Sequence, residues 1–260
     1  MVHLGCKEYA EIAIYYSIYL RIILLMRFDT ITLTGNIRPI VHLDNLNEIK
    51  GAWRELGFTQ PRPTIVIIGG AGGMSDEDFG KVKEFFKNHL LPFAKQKGAV
   101  IIDGGTDSGV MAAIGYALKT LNSKVPAVGV YAQGVEGIAG MLEPSHTHFI
   151  TCPGSNWGDE SEYLAAAATE LSAGEPTLAV LINGGQITWN DARLNIQYGR
   201  SVLIAEGTGR AADAIATTQA GHDFDSKAIA LIRTGKVHIG NFFKDPEGFI
   251  RKMDDLLSVG

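Results

Sequence analysis

Cysteine is scarce, with two in 260 residues, and Cys6 and Cys152 form no metal or redox spacing. That excludes a disulfide framework and a zinc-finger pattern, and the pair reads as two free thiols of a cytoplasmic protein. Basic residues do not cluster and the net charge is -5, so the electrostatic footprint of a nucleic-acid binder is missing. No DNA or RNA partner is expected. Collagenous, coiled-coil and low-complexity segments are absent, as is any repeat at a solenoid period.

The chain also lacks a clean membrane span. Its most apolar stretch, "IAIYYSIYLRIILLM" at 12–26, is shorter than the roughly 20 residues a spanning helix needs, and Ser17 and Arg21 interrupt it. It has neither the leading basic region nor the small-residue cleavage site of a signal peptide. Residues 1–27 therefore form an apolar N-terminal segment with three uses open. It is a packed or self-associating helix, a membrane-associated anchor through residues 12–26, or a leader outside the fold with Met26 as the natural start.

What is present from residue 64 onward is regular. "TIVIIGG" (64–70), "GAVIIDGG" (98–105), "VPAVGVY" (125–131), "THFITC" (147–152), "TLAVLINGG" (177–185) and "SVLIAEG" (201–207) are short Val-, Ile- and Leu-rich runs that do not alternate. Strands covered on both faces read this way, as in a parallel sheet between helices. Helical stripes fall between them. Residues 75–91 open with Ser75 and Asp78 in capping-box spacing, carry Phe79, Val82, Phe86 and Leu90 on one face, and are expected to end at Pro92. Residues 108–121, 159–172, 210–218 and 245–257 also read as helices. Upstream, "TITLTG" and "RPIVHL" read as strands, "DNLNEIKGAWRELG" as a helix, and "TQPRP" (59–63) as the internal boundary. The predicted fold is α/β, a Rossmann-like doubly wound and mostly parallel sheet in three layers. It occupies residues 28–260, with a core at 60–220.

Glycine is abundant, and its placement matters more than its number. It gathers after five of the apolar runs, in "GGAGGMS", "DGGTDSG", "PGSNWGDE", "NGGQIT" and "EGTGR". Those positions are the carboxyl ends of strands, the edge where open α/β sheets bind ligands. Glycine lets the backbone approach closely, and the unpaired amides of a following helix favour an anion. One such turn is often only a turn; five on one edge point to a phosphorylated small molecule. The established fingerprints are missing. "GGAGGM" does not fit G-x-G-x-x-G, and there is no G-x-x-x-x-G-K-[ST], G-x-S-x-G or H-E-x-x-H.

Three motifs then occur in order. Gly104, Gly105, Thr106, Gly109, Val110 and Met111 form G-G-T-x-x-G-V-M, His146 to Phe149 form H-x-H-F, and Glu206 to Asp213 form E-G-T-G-R-x-A-D. Over roughly residues 60–220 the chain resembles the SLOG superfamily, in the LSDAT branch shared by bacterial proteins and the cytosolic N-terminal region of melastatin-type TRP channels. The resemblance implies a Rossmann-like fold that binds nucleotide-derived ligands, ADP-ribose in the channel relatives. It implies that Gly207, Thr208, Gly209 and Arg210 cradle ligand phosphates, with Arg210 pairing to a phosphate oxygen. Gly104, Gly105, Thr106 and Gly109 would form a second phosphate- or ribose-facing turn, with Gly69, Gly70, Gly184 and Gly185 on the same edge. Trp157 would stack on a base. An arginine of the channel sequences is replaced here, where Tyr163 and Leu164 stand.

His146 and His148 alternate on a strand and so share a face, yet no acidic or sulfur ligand is evident near them, and no metal is expected. Hydrolases of the same superfamily cut the N-glycosidic bond of nucleoside monophosphates and carry P-G-G-x-G-T-x-x-E, an arrangement that "VLINGGQITWND" reads as lacking. Glu206, Asp103 and Asp213 are the carboxylates left as candidates for a general base or a ribose contact, each equally readable as a structural acceptor. The leading expectation is a sensor for an ADP-ribose-like signalling nucleotide that requires no cofactor and acts through a homo-oligomer or an effector protein. The alternative is a nucleotide N-glycosidase or phosphodiester hydrolase on the same site.

Overall fold

The apolar runs become strands because both of their faces are covered. The computed structural model describes residues 28–70 and 72–258, so the segment 12–26 lies outside the described residues. Among these, nine strands form one sheet: β1 (Phe28–Leu33), β2 (Asn36–His42), β3 (Thr64–Gly69), β4 (Val100–Asp103), β5 (Ala127–Ala132), β6 (His148–Cys152), β7 (Thr177–Ile182), β8 (Ser201–Ala205) and β9 (Val237–Gly240). Their spatial order is β1-β2-β6-β5-β4-β3-β7-β8-β9, and every pairing is parallel except β1 with β2. That pair is a hairpin whose turn residues, Thr34 and Gly35, have φ of 44° and 81°, as a turn matched to strand twist requires.

The helices are α1 (Ile49–Glu55), α2 (Asp76–Phe85), α3 (Leu91–Lys97), α4 (Gly109–Thr120), α5 (Ser161–Ser172), α6 (Gln186–Gln197), α7 (Arg210–Gln219), α8 (Ser226–Ile232) and α9 (Pro246–Ser258). Alternate residues of each central strand feed two separate cores. Val66, Ile68, Ile102, Val130, Leu181 and Ile204 pack with Trp53, Ala167, Leu171 and Ile215 on one face. Ile65, Ile67, Ile101, Val180 and Leu203 pack with Phe86, Ile114, Phe249 and Met253 on the other. Two layers of helix around one sheet therefore account for the non-alternating strand sequences.

One local expectation needs correction, and three elements went unpredicted. Pro92 does not end the helix that begins at Ser75. A wide turn over Phe86–Leu90 joins α2 to α3, and Pro92 sits in the first turn of α3, where its missing N–H is harmless. Helix α6, helix α8 and strand β9 carry patterns too short or too polar to have been singled out. Ser75 does cap α2, accepting from the Asp78 amide at 3.1 Å.

From β3 the chain adds β4, β5 and β6 on one side, then returns to place β7 and β8 on the other. The order reverses between β3 and β7. A crevice beyond the carboxyl ends of two strands at such a reversal is where doubly wound sheets bind ligands.

Candidate functional site

A cleft of about 320 Å³ opens at that reversal. It is lined by Ile67, Ile68 and Gly69 from β3 and by Gly70 just after it; Gly104 and Thr106 come from the β4–α4 connection and Met111 from the first turn of α4. Trp157, Glu160 and Leu164 enter from the β6–α5 side, Gly185, Gln186, Ile187, Thr188 and Asp191 from β7–α6, and Arg210 from the start of α7. The first turns of α4, α5, α6 and α7 thus meet around one space, and their dipoles make it attractive to an anion.

Arg210 supplies the full charge. Its Nη1 donates to the Gly72 carbonyl at 2.7 Å, bridging the β8 loop to the β3 loop across the cleft. A Cβ on Gly73 would lie 2.9 Å from Nη1 and one on Gly185 2.8 Å from Nη2, so glycine at both positions admits the guanidinium. Arg210 also has φ of 54°, a left-handed conformation uncommon for a residue with a side chain. Strain of this kind persists where surrounding structure enforces it, and it concentrates at binding sites.

The rest of the expected 207–210 cradle is differently engaged. Thr208 is 3% exposed; its hydroxyl donates to Ala205 O and accepts from Asn183 N, both at 2.7 Å. Its carbonyl accepts from Asn183 Nδ2 at 2.7 Å. The Gly207 amide donates to Asp213 Oδ1 at 2.6 Å, and the Ala211 and Ala212 amides donate to the carbonyls of Gly184 and Asn183. Thr208 is therefore a clasp between two loops, and of residues 207–210 only Arg210 lines the cleft. Asp213 caps its own loop, while Glu206 faces Asn241 at 3.4 Å. Gly184 packs against Thr188, and Gly209, with φ of 92°, precedes the helix.

The other carboxylate candidate is sealed. Asp103 is fully buried, with Oδ1 accepting from the Gly105 amide at 2.7 Å and both oxygens facing His146 Nε2 at 2.8 and 3.0 Å. His146 Nδ1 meets Glu143 Oε2 at 2.9 Å. Burial opposes charge on this imidazole, but the Asp103 and Glu143 carboxylates outweigh it and raise it to about 9. The trio fixes the turn after β4: Gly105, at φ of 68°, lies so close over β5 that its Cβ would sit 2.7 Å from the Gly129 Cα. Gly109, with φ of 52°, then starts α4. Acidic partners for His146 do exist, then, but both of its nitrogens are occupied by them. His148 is half-buried beside Thr147 and Phe58, and burial together with the Arg38 charge pushes it down to about 4. Among the described residues no group of three or more acidic, His or Cys side chains is arranged to hold a metal ion.

The cleft contains two carboxylates that the sequence reading passed over. Glu160 accepts from the Gly158 amide at 2.9 Å, and burial raises its carboxyl above the usual range. Asp191 opens partly onto the cleft but is crowded on its other sides; that burial, with the Glu160 charge, pushes it up to about 7. The Ser161 hydroxyl turns toward Asp191 and lowers it somewhat, though short of good hydrogen-bond geometry. A signal for Asp191 was available. Read against P-G-G-x-G-T-x-x-E, residues 183–191 keep the first two of three glycines, Thr188 and an acid at the last position, with Asn183 for Pro, Ile187 for Gly and Asp191 for Glu. Trp157 stands at the mouth, 51% exposed, with an indole face free to stack.

Comparison with known proteins agrees with this fold. Mouse transient receptor potential cation channel subfamily M member 6 is 29% identical over 237 residues, covering 71% of this chain and 12% of the channel. Mouse subfamily M member 2 is 25% identical over 204 residues, covering 62% and 13%. The chain thus spans about an eighth of these relatives. Among solved structures, the molybdenum cofactor carrier protein of Chlamydomonas reinhardtii superposes with a TM-score of 0.52 at 16% identity, covering 76% of this chain and 99% of that one. The molybdenum cofactor binding protein of Rippkaea orientalis gives 0.50 at 12%, covering 76% and 98%. Both share the fold. The family model described as "SLOG in TRPM, prokaryote" matches residues 62–250, from the strand before the first glycine turn to the last helix, and the chain belongs to that family.

Proposed function

We propose that the switch-point cleft binds a nucleotide-derived ligand of the ADP-ribose type, with a phosphate on Arg210 and a base over Trp157. The observation that carries this reading is the Arg210 guanidinium, suspended over the reversal between β3 and β7 by a strained backbone and two facing glycines. Guanidinium binds phosphate through two parallel donors, and the converging helix N-termini add to its field. The test is thermal unfolding of wild type and Arg210→Ala with ADP-ribose, cyclic ADP-ribose, NAD, AMP and cyclic dinucleotides. Molybdenum cofactor joins the panel because the two structural neighbours carry or bind it. A ligand at 100 times its Kd stabilises the native state by about 2.7 kcal/mol. A shift in wild type that disappears in Arg210→Ala supports the reading; no shift with any nucleotide defeats it.

Asp191 favours a second reading, hydrolysis of a nucleotide at the same site. A carboxyl titrating near 7 suits a general acid or base at neutral pH, and this one lines the cleft. Turnover seen by chromatography in wild type and lost in Asp191→Asn would favour it.

A further inference from the structure

The fold gathers on one edge of the sheet cations that the sequence keeps apart. Two grooves, of about 530 and 500 Å³, adjoin there and share Asn122, Ser123 and Lys124 of the turn between α4 and β5. Their linings include residues just before β4, β5 and β6, so they lie along the amino ends of the strands, on the edge opposite the cleft. Arg62 and Lys95 line the first, Arg38 and Lys119 the second, and Lys124 both. No described carboxylate lines either groove, and among the described residues none of these cations enters an ion pair. Like charges gathered without partners repel one another, a cost that an anionic partner would remove.

The two arginines are held in place without being used up. Arg38 donates from Nε and Nη2 to the Pro144 carbonyl at 3.4 and 3.1 Å, and Arg62 from Nε to the Gly98 carbonyl at 2.9 Å. Their other N–H groups have no acceptor among the described residues. Lys95, Lys119 and Lys124 are exposed. The turn that carries Lys124 is itself fixed, for Ser123 Oγ accepts from the Val125 amide at 3.2 Å. The rest of the lining decides the class of anion. Leu121, 46% exposed, and Pro92 give the first groove an aliphatic surface, and no described aromatic ring lines either groove for a base to stack on. A free phosphate would use the cations and leave that surface bare. We propose that these grooves dock an acidic segment of a partner protein, with its carboxylates on Lys119, Lys124 and the arginines and an apolar side chain against Leu121. Charge complementarity selects this occupant, and the proposal does not depend on the nucleotide reading of the cleft.

The test is fluorescence anisotropy of the full chain with a labelled glutamate-rich peptide carrying one central leucine. Two counterparts accompany it, one with glutamine for every glutamate and one with serine for the leucine. The first peptide should bind and the glutamine peptide should not. Salt should weaken the binding, because at 1 M the Debye length is only about 3 Å. Lys119→Glu and Lys124→Glu should each raise Kd by about 3–10-fold at low salt, and together should abolish binding. Lys244→Glu, in the loop after β9 on the other edge, should leave Kd within about twofold. Leu121→Ser should remove the preference for leucine over serine while the need for glutamate stays. All four side chains are exposed, so these variants should melt as wild type does. No binding of the acidic peptide, or a loss in Lys244→Glu as large as in the groove variants, overturns the proposal. Tighter binding of an RNA oligonucleotide or of phosphatidylserine vesicles, sensitive to the same lysines, would give the surface to another occupant and overturn it as well.

Discussion

Replacing Gly115 by alanine should destabilise the protein, against the usual direction for a glycine inside a helix. Gly115 lies in the middle of α4, where alanine would ordinarily gain about 1 kcal/mol. Here a Cβ would land inside the Glu143 carboxyl group. That group cannot swing aside freely: it is 4% exposed and accepts from the amides of Ser145 and His146 at 2.8 and 2.9 Å and from the His146 ring at 2.9 Å. Expelling it leaves the His146 imidazolium with Asp103 alone, and breaking a buried charge network costs about 3–5 kcal/mol. The net expectation is a loss of roughly 2–4 kcal/mol, or about 5–15 °C in Tm for a domain of this size. Gly80→Ala in α2 is the control, because nothing lies within 4 Å of its Cβ, and it should gain about 0.5–1 kcal/mol. Thermal and urea unfolding of both variants decide the matter. A Gly115→Ala protein as stable as wild type, beside a stabilised Gly80→Ala, would refute the packing argument.

Arg210→Gly should be more stable than Arg210→Ala by about 1 kcal/mol, since glycine adopts φ of 54° without strain, and neither variant should bind a nucleotide; paired denaturant melts check the order. Stability should also fall as pH rises from 6.5 to 9. The His146 imidazole is raised to about 9 in the fold against 6.5 unfolded, so its contribution is complete below 6.5 and lost as pH passes through the folded value. The span is on the order of 3 kcal/mol, and a flat profile of urea midpoints across that range would contradict the assignment.

The double-sided strands were legible because a strand buried on both faces has no freedom to alternate, and the glycine runs located the carboxyl edge of the sheet because the turns there adopt positive φ. What the sequence did not disclose is which polar groups on that edge already have partners. Thr208 reads as a phosphate ligand until Asn183, 25 residues earlier, is seen to take both its hydroxyl and its carbonyl. Asp103 reads equally as a general base, a ribose contact or a structural acceptor until His146 and the Gly105 amide are seen to close over it. Helix α6 escaped notice because its buried side is Thr188, Ala192, Leu194 and Asn195, too polar to register as a stripe, and because Gly185 precedes it without a side-chain cap. With α6 unseen, Asp191 had no face to belong to. Arg210 could be assigned to that edge because Gly207 and Gly209 mark the turn before it, and the structure puts it in the lining of the cleft.

The bond from Arg210 to the Gly72 carbonyl gives the free site a resident occupant. Under the nucleotide reading proposed above, a phosphate on Arg210 would compete with that carbonyl for the same guanidinium, so the link between the loop after β3 and the start of α7 and the hold on a ligand draw on one side chain.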